Sequence, residues 1–135
     1  MKLIVDFDDV LFDVSKLKEK FFKVLTAHGV KNPKDEYHFE RKNDRPFSLK
    51  LFLARIHKEE NLKATTVNEM YEEVMTVCGA LKNKELADVL TQCGRENCYI
   101  VTSGDKEFQM DKIMRSGANN LAQEIIVVPG SKKET

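Results

Sequence analysis

A short apolar run near the start of the chain leads directly into two carboxylates, and this combination constrains the fold most. Leu3-Ile4-Val5 precedes Asp6-Phe7-Asp8, and two of the three apolar residues are β-branched. Such a run is typical of a fully buried strand in a parallel sheet. Because an unpaired carboxylate is costly inside a core, we expect Asp6 and Asp8 to lie at the exit of the strand. Ligands of open α/β sheets bind at that edge, where two acids suit a divalent cation and phosphate chemistry.

Composition narrows the class of protein. The chain has 135 residues, which favours a single domain, and its 41% apolar and 33% charged content is ordinary for a soluble globular protein. Its 22 basic and 22 acidic residues give no net charge, so we expect no nucleic-acid partner. No apolar run is long enough for a membrane span or for a signal peptide, and we expect a cytoplasmic protein with no membrane partner.

The three cysteines and three histidines give no sign of a metal or disulfide site. Cys78, Cys93 and Cys98 are odd in number and contain no Cys-x-x-Cys pair, so we expect buried structural thiols. The histidines lack the spacing of metal ligands. We therefore assign none of them a catalytic role.

Capping residues and apolar periodicity predict the helices. Helices are expected to begin near Asp13, Ser48, Thr66 and Asn83, each followed by apolar residues at helical spacing. Residues 31–45 are polar and without clear period, which favours a loop.

Two further β-prone runs follow these helices. Residues 98–101 precede Thr102-Ser103-Gly104, and residues 125–128 precede Pro129. Strands that recur after helices predict parallel βαβ units, hence an α/β fold with a three-stranded parallel sheet. The long segment after the first strand contains about four predicted helices, more than one crossover needs. We expect an α/β core from residues 1–13 and 80–135, with a helical cap inserted at residues 14–79.

The last residues contain the start signal of another helix. Ser131-Lys132-Lys133-Glu134 is a capping box, which predicts the start of a helix, yet the sequence ends at Thr135. Three strands also make a thin sheet with uncovered edges. These features predict that a C-terminal part is missing, or that another surface covers the sheet through self-association.

The order of these motifs resembles the haloacid dehalogenase-like superfamily of phosphohydrolases. Its first motif, a strand followed by Asp-x-Asp-x-Thr/Val, is matched by residues 3–10. Its second motif, a strand ending in Thr or Ser, is matched at Thr102, and its third, a lysine near a helix start, at Lys132 or else Lys133. The resemblance covers essentially the whole chain. It implies a Rossmann-like parallel sheet with a helical cap after strand 1, and a first strand that is central in the sheet.

Two carboxylates at one strand end suit phosphate-ester hydrolysis. An ionised carboxylate can attack phosphorus, and a second acid can protonate the leaving group and later take a proton from water. Along an extended chain, side chains two residues apart point the same way, so Asp6 and Asp8 could face one site. The resemblance implies that Asp6 is the nucleophile and a Mg²⁺ ligand. It implies that Asp8 is the general acid/base and ligates Mg²⁺ through its backbone carbonyl.

Donors for the phosphate are expected at the second and third motifs. The resemblance implies that Thr102 orients the phosphate together with Ser103 and Gly104, and that Lys132 steadies the nucleophile and the negative charge. Lys133 is the alternative motif lysine and is counted among the phosphate contacts. The fourth motif of the superfamily, an acid pair after a fourth strand beside the first, has no counterpart after Lys132.

The resulting prediction is a Mg²⁺-dependent phosphohydrolase that acts on a small phosphate ester through an aspartyl-phosphate on Asp6. The missing fourth motif leaves a different class open, in which a catalytically incomplete domain serves as a binding or assembly module. A phospho-accepting receiver domain ranks third. Its acceptor aspartate would end a later strand, and here that strand ends in Thr102.

Overall fold

The computed structural model describes residues 1–129, and the predicted cap at Ser131 lies outside this range. The elements follow in the order β1 (Leu3–Asp6), α1 (Val14–Ala27), α2 (Pro33–Glu40), α3 (Leu49–Glu59), α4 (Val67–Met75), α5 (Lys84–Cys93), β2 (Cys98–Ser103), α6 (Lys106–Ser116) and β3 (Glu124–Val128). The strands form one parallel sheet in the order β1-β2-β3. The predicted α/β class with three parallel strands is confirmed.

Helix starts follow the capping residues that the sequence predicts. The side chains of Asp13, Ser48, Thr66 and Asn83 each accept a hydrogen bond from the backbone N–H three residues later. These bonds satisfy donors at the helix N-terminus that have no partner within the helix. Asp105 caps α6 in the same way, by accepting from the N–H of Phe108.

The prediction of a loop over residues 31–45 is wrong for part of that segment, because α2 occupies Pro33–Glu40. Pro33 fits the first turn, where its missing N–H removes no bond, and Asp35 and Glu36 favour the positive end of the helix dipole. Tyr37 is buried, with its ring centroid 5.5 Å from that of Phe21 on α1. Packing of one side chain therefore stabilises a helix whose apolar periodicity is weak. The crossover between β1 and β2 contains five helices rather than four.

The sheet is covered on one face only in residues 1–129. Ile100 and Thr102 of β2 are buried beneath helices, whereas the side chains on the opposite face alternate with them and are more exposed. Ile4 is 73% exposed, Ile126 42% and Val128 46%. The prediction of a fully buried first strand is therefore wrong. Within the described part, β1 also lies at an edge of the sheet rather than at its centre.

An aromatic cluster joins the helices to one another. Phe21 of α1 lies near three rings, with centroids 5.5, 6.1 and 6.2 Å away: Tyr37 of α2, Phe47 just before α3, and Phe52 of α3. Phe47 in turn lies 5.9 Å from Phe108 of α6. Phe21–Phe52 and Phe47–Phe108 are edge-to-face pairs, which contribute to stability beyond the apolar area that they bury.

Polar contacts fasten α6 to α3 and α4. They join Lys50 Nζ to Glu107 (2.6 Å), the Tyr71 hydroxyl to Asp111 (2.5 Å) and the Arg115 guanidinium to Glu72 (2.5 Å). Arg115 also binds Asp111 one turn before it on α6. Burial and the hydrogen bond to Asp111 both raise the pKa of Tyr71. The phenol therefore stays a neutral donor in this contact.

The three cysteines are free thiols, and the expected burial holds for two of them. Cys78 and Cys98 are buried, and Cys93 at the end of α5 is half-buried. Burial raises the pKa of Cys78 from 9.0 to about 11, because the thiolate would lose its hydration. No helix in residues 1–129 is long and apolar enough to cross a membrane.

We expect the stabilising effect of Cys78 to disappear in alkali. Between pH 9 and 11 the unfolded chain releases the Cys78 proton while the folded chain keeps it, so the free energy of unfolding falls as pH rises. The difference in unfolding free energy between wild type and Cys78→Ala should shrink by on the order of 1–2 kcal/mol over this range. Urea titrations at pH 8, 9, 10 and 11 measure it. A difference that stays constant would contradict the expectation.

Candidate functional site

A tight turn follows β1 and places the second acid of the first motif. The Phe7 carbonyl accepts hydrogen bonds from the N–H groups of Leu11 (2.9 Å) and Phe12 (3.0 Å). Asp9 adopts φ 63°, a left-handed conformation that Asp tolerates better than most residues. Phe7, Leu11 and Phe12 are at most 1% exposed and anchor the turn in the core. Asp8 lies between the end of β1 at Asp6 and this turn, and it forms an isolated β-bridge with Phe12.

The Asp8 carboxylate is bound on both oxygens by side chains of α6. Its Oδ1 accepts from Lys112 Nζ at 2.9 Å, and its Oδ2 accepts from Gln109 Nε2 at 2.8 Å. Gln109 Nε2 also donates to the Thr102 hydroxyl oxygen at 2.7 Å. One amide group thus links the acid of the first motif to the hydroxyl of the second. Since a carboxylate can only accept, the contact with Asp8 fixes the orientation of the Gln109 amide.

Lys112 is a buried cation within this network. Its side chain is 4% exposed, and its ammonium lies 4.4 Å from the ring centroid of Phe108. Burial lowers the pKa of Lys112, and the attraction of Asp8 opposes this shift. The ion pair and the adjacent aromatic face together compensate the loss of water around the ammonium.

The second motif ends β2 beside this network. Thr102 is 5% exposed and accepts the bond from Gln109, while Ser103 is exposed. Gly104 has φ 139°, and a Cβ there would lie 3.2 Å from Gln109 Cγ, so a glycine suits the position on two counts. The Gly104 N–H donates to the Val128 carbonyl at 3.0 Å. This N–H is therefore already used within the sheet.

A cavity of about 240 Å³ opens at this point of the fold. Asp8, Ser103, Gly104, Gln109 and Lys112 contribute to its wall. The rest of the wall comes from α1 and α2, from Asp9, Arg41 and Phe47 outside the helices, and from Phe108 of α6. A larger cavity of about 670 Å³ between α1 and α2 contains none of the predicted site residues. The smaller cavity is therefore the candidate active site.

Not all predicted site residues meet in this cavity. Asp6 is the last residue of β1, pairs with Val101 in the sheet register and is exposed, and it does not line the cavity wall. The structure thus brings Asp8, Thr102, Ser103 and Gly104 together and leaves Asp6 beside them on the sheet edge. Lys132 and Lys133 lie outside the described residues.

Two residues of the site were missed in the sequence. Gln109 and Lys112 are one helical turn apart on α6, and both are at most 3% exposed. Polar residues among the buried positions of a helix were the available signal, because such groups require partners. The identity of those partners depends on the path of the turn after β1.

The donor set for a metal is small in residues 1–129. No group of three or more His, Cys, Asp or Glu side chains there is arranged to hold a metal ion. Asp6 offers an exposed carboxylate, whereas both Asp8 side-chain oxygens already have donors. Mg²⁺ commonly takes one or two protein carboxylates and completes its shell with substrate phosphate and water. The acids present fit such a partial shell.

Comparison with solved structures identifies the fold. Similar structures include a haloacid dehalogenase-like hydrolase from Burkholderia xenovorans LB400, with a TM-score of 0.71 and 20% identity over 93% of this chain. A HAD-hydrolase from Bacillus subtilis, bound to magnesium, has a TM-score of 0.52 and 14% identity over 93% of this chain. A haloacid dehalogenase-like family hydrolase from Xanthomonas campestris has a TM-score of 0.51 and 17% identity over 95% of this chain. The chain covers only 59%, 62% and 61% of these three structures.

Comparisons at the level of sequence give no match, either to a protein-family model or to a curated protein. At the identities found, the structural likeness establishes the fold alone. The chain has the haloacid dehalogenase-like α/β fold, and the resemblance drawn from its motifs is confirmed at that level.

Proposed function

We propose that this chain supplies the catalytic acids of a Mg²⁺-dependent phosphohydrolase that acts on a small phosphate ester. The main support is the convergence of Asp8, Ser103 and Gly104 on one cavity, at the carboxyl ends of β1 and β2. Ligands of open parallel sheets bind at that edge. The fold is also that of a solved structure described as a haloacid dehalogenase-like hydrolase. The activity, substrate and partners of the whole protein are all part of this proposal.

Asp6 and Asp8 have separate roles in the proposed reaction. The Asp6 carboxylate attacks phosphorus, the bond from phosphorus to the ester oxygen breaks, and an aspartyl-phosphate forms. Asp8 enters this step protonated on Oδ2, where the proton replaces the contact with the neutral Gln109 amide, and it gives that proton to the departing ester oxygen. Water then attacks phosphorus and gives a proton to Asp8, so inorganic phosphate leaves and Asp6 is regenerated.

The phosphoryl oxygens require donors during this transfer. The Ser103 hydroxyl lies at the cavity, and Thr102 is held beside it by Gln109. Lys132, or alternatively Lys133, would add a positive charge close to the nucleophile. Gly104 contributes by letting the backbone pass close to Gln109 rather than by a free N–H. Catalysis of this type consists mainly of positioning and electrostatic stabilisation.

Mg²⁺ would bind the Asp6 carboxylate and the backbone carbonyl of Asp8. When bound, it would neutralise charge on the phosphoryl oxygens. We propose a small phosphorylated molecule as substrate and a cytoplasmic location, with no nucleic-acid or membrane partner.

A second candidate function is a catalytically incomplete domain that serves as a binding or assembly module. One observation favours it, because both Asp8 oxygens are already satisfied by donors of α6. Self-association through the uncovered sheet edge belongs to this alternative.

Turnover of an aryl phosphate tests the proposed function. With p-nitrophenyl phosphate and Mg²⁺, we expect hydrolysis that Asp6→Asn lowers by on the order of 10³-fold or more, because the amide is a far poorer nucleophile. Asp88→Asn provides the matched control, since Asp88 is an exposed residue of α5 away from the cavity. It should retain the wild-type rate.

Equal rates for wild type and Asp6→Asn would exclude Asp6 as nucleophile. Absence of any Mg²⁺-dependent turnover, with the fold intact by circular dichroism, would favour the binding or assembly module. Acid quench with a ³²P-labelled substrate provides an independent measurement, since an aspartyl-phosphate would trap label on wild type but not on Asp6→Asn.

A further inference from the structure

The cavity wall beyond the acids has a composition that indicates what the substrate's organic group is. Phe21, Tyr37, Phe47 and Phe108 all line the cavity. Their rings form a continuous surface, with centroids 5.2 Å apart for Tyr37 and Phe47, and 5.9 Å apart for Phe47 and Phe108. Aromatic walls of this kind favour flat apolar groups through stacking and edge contacts.

Phe108 connects this aromatic wall to the acids. Its ring lies 4.4 Å from Lys112 Nζ, and that ammonium lies 2.9 Å from Asp8. A phosphate ester bound at Asp8 would therefore place its leaving group against Phe108 and Phe47. The leaving group, rather than the phosphate, meets the aromatic side chains.

Two cations lie at the aromatic part of the cavity. Lys18 of α1 and Arg41, at the end of α2, both line it. Lys18 Nζ lies 5.2 Å from the ring centroid of Tyr37, so its charge is next to the aromatic wall. The Arg41 guanidinium can bind a carboxylate through two parallel hydrogen bonds. An anionic group on the substrate, remote from the phosphate, would find both partners here.

The volume limits the size of the group. A cavity of about 150 Å³ is known to admit benzene, so about 240 Å³ suits one ring with a substituent. Pockets for drug-sized ligands typically measure about 300–1,000 Å³, which is more than this cavity offers.

We infer that the substrate is a single-ring aromatic phosphate ester with a second anionic substituent, which Lys18 and Arg41 recognise. This inference rests on the proposed function, because it takes the phosphate position from Asp8. It assigns recognition of the second anionic group to Lys18 of α1 and Arg41 at the end of α2, whereas the proposed chemistry lies at the ends of β1 and β2.

Phosphonates test this specificity without turnover, since their P–C bond is not hydrolysed. Calorimetric titration in Mg²⁺ buffer should give the tightest binding for 4-phosphonobenzoate, then phenylphosphonate, then methylphosphonate. We expect about a tenfold change in Kd at each step, the size of one good contact. Lys18→Met and Arg41→Met should weaken 4-phosphonobenzoate about tenfold and leave phenylphosphonate nearly unchanged.

The matched control is Lys23→Met, which alters an exposed lysine of α1 outside this cavity. It should bind all three phosphonates as wild type does. Lys18→Gln provides a second variant if Lys18→Met fails to fold, because it also removes the charge. Equal affinity for the three phosphonates, or no binding of any, would overturn the inference. If Lys18→Met weakened the binding of 4-phosphonobenzoate and phenylphosphonate equally, the role of Lys18 would be overturned.

The phosphonate titrations and the turnover assay can fail independently of each other. Selective, Lys18-dependent binding of 4-phosphonobenzoate without hydrolysis of aryl phosphates would support the specificity and reject the catalytic proposal. Hydrolysis that needs Asp6, together with no preference among the phosphonates, would support the catalytic proposal and reject the proposed specificity.

Discussion

Phe52→Ala should lower the free energy of unfolding by about 3–5 kcal/mol, the usual range for deleting a fully buried phenylalanine ring. Phe52 is completely buried in α3, and its ring contacts those of Phe21, Tyr37 and Phe47. The substitution removes buried apolar area and leaves a cavity that rigid aromatic neighbours fill poorly. Because small proteins are stable by only about 5–15 kcal/mol, a large part of the stability would be lost.

Urea unfolding followed by circular dichroism measures this loss. The matched control is Leu51→Ala, which changes the preceding residue of the same helix, where the side chain is 47% exposed. It should cost about 0.5 kcal/mol or less, as is usual at exposed positions. Similar costs for the two variants would show that the aromatic cluster does not form as described.

Asp8→Ala should destabilise the fold by about 2–4 kcal/mol, chiefly because it leaves the Lys112 ammonium buried without its partner. The two side chains differ in exposure, 4% for Lys112 and 34% for Asp8, so the lysine bears most of the penalty. The double variant Asp8→Ala/Lys112→Met should recover most of the loss. A methionine side chain fills the same space among Phe7, Phe12 and Phe108 and needs no counter-ion.

A double-mutant cycle, measured by urea unfolding at pH 7, gives the interaction free energy between Asp8 and Lys112. Lys106→Met serves as the matched control, since Lys106 is an exposed residue of the same helix. Combined with Asp8→Ala, this substitution should recover none of the lost free energy of unfolding. Strictly additive costs for Asp8→Ala and Lys112→Met would mean that the two side chains do not depend on each other.

Local signals in the sequence were sufficient for most elements of the fold. Caps such as Ser48 and Asn83 act through bonds to backbone three residues away, so their effect can be predicted from neighbouring positions. The same holds for the apolar runs that became β2 and β3. The helix α2 was missed because Tyr37 is stabilised by Phe21, a residue far away in the sequence.

Some residues of the candidate site could also be predicted from local sequence, whereas others could not. The acids of the first motif and the residues after β2 could be found because they follow strands directly. Their relative orientation could not, since it depends on the turn from Phe7 to Phe12 and its left-handed Asp9. Gln109 and Lys112 reach Asp8 across more than 100 positions of sequence, a contact that no local pattern specifies.

The contacts of α6 also have a mechanical consequence. The helix that binds Asp8 on one side is tied on another to α3 and α4 by Lys50–Glu107, Tyr71–Asp111 and Arg115–Glu72. Any rotation of these helices away from α6 must break the half-buried Tyr71–Asp111 hydrogen bond and the two ion pairs near the surface, Lys50–Glu107 and Arg115–Glu72. Dissolved salt weakens exposed ion pairs of this kind, so these two pairs oppose the rotation less at high ionic strength. The attachment of α3 and α4 to the helix that holds Asp8 therefore depends on the ionic strength around the protein.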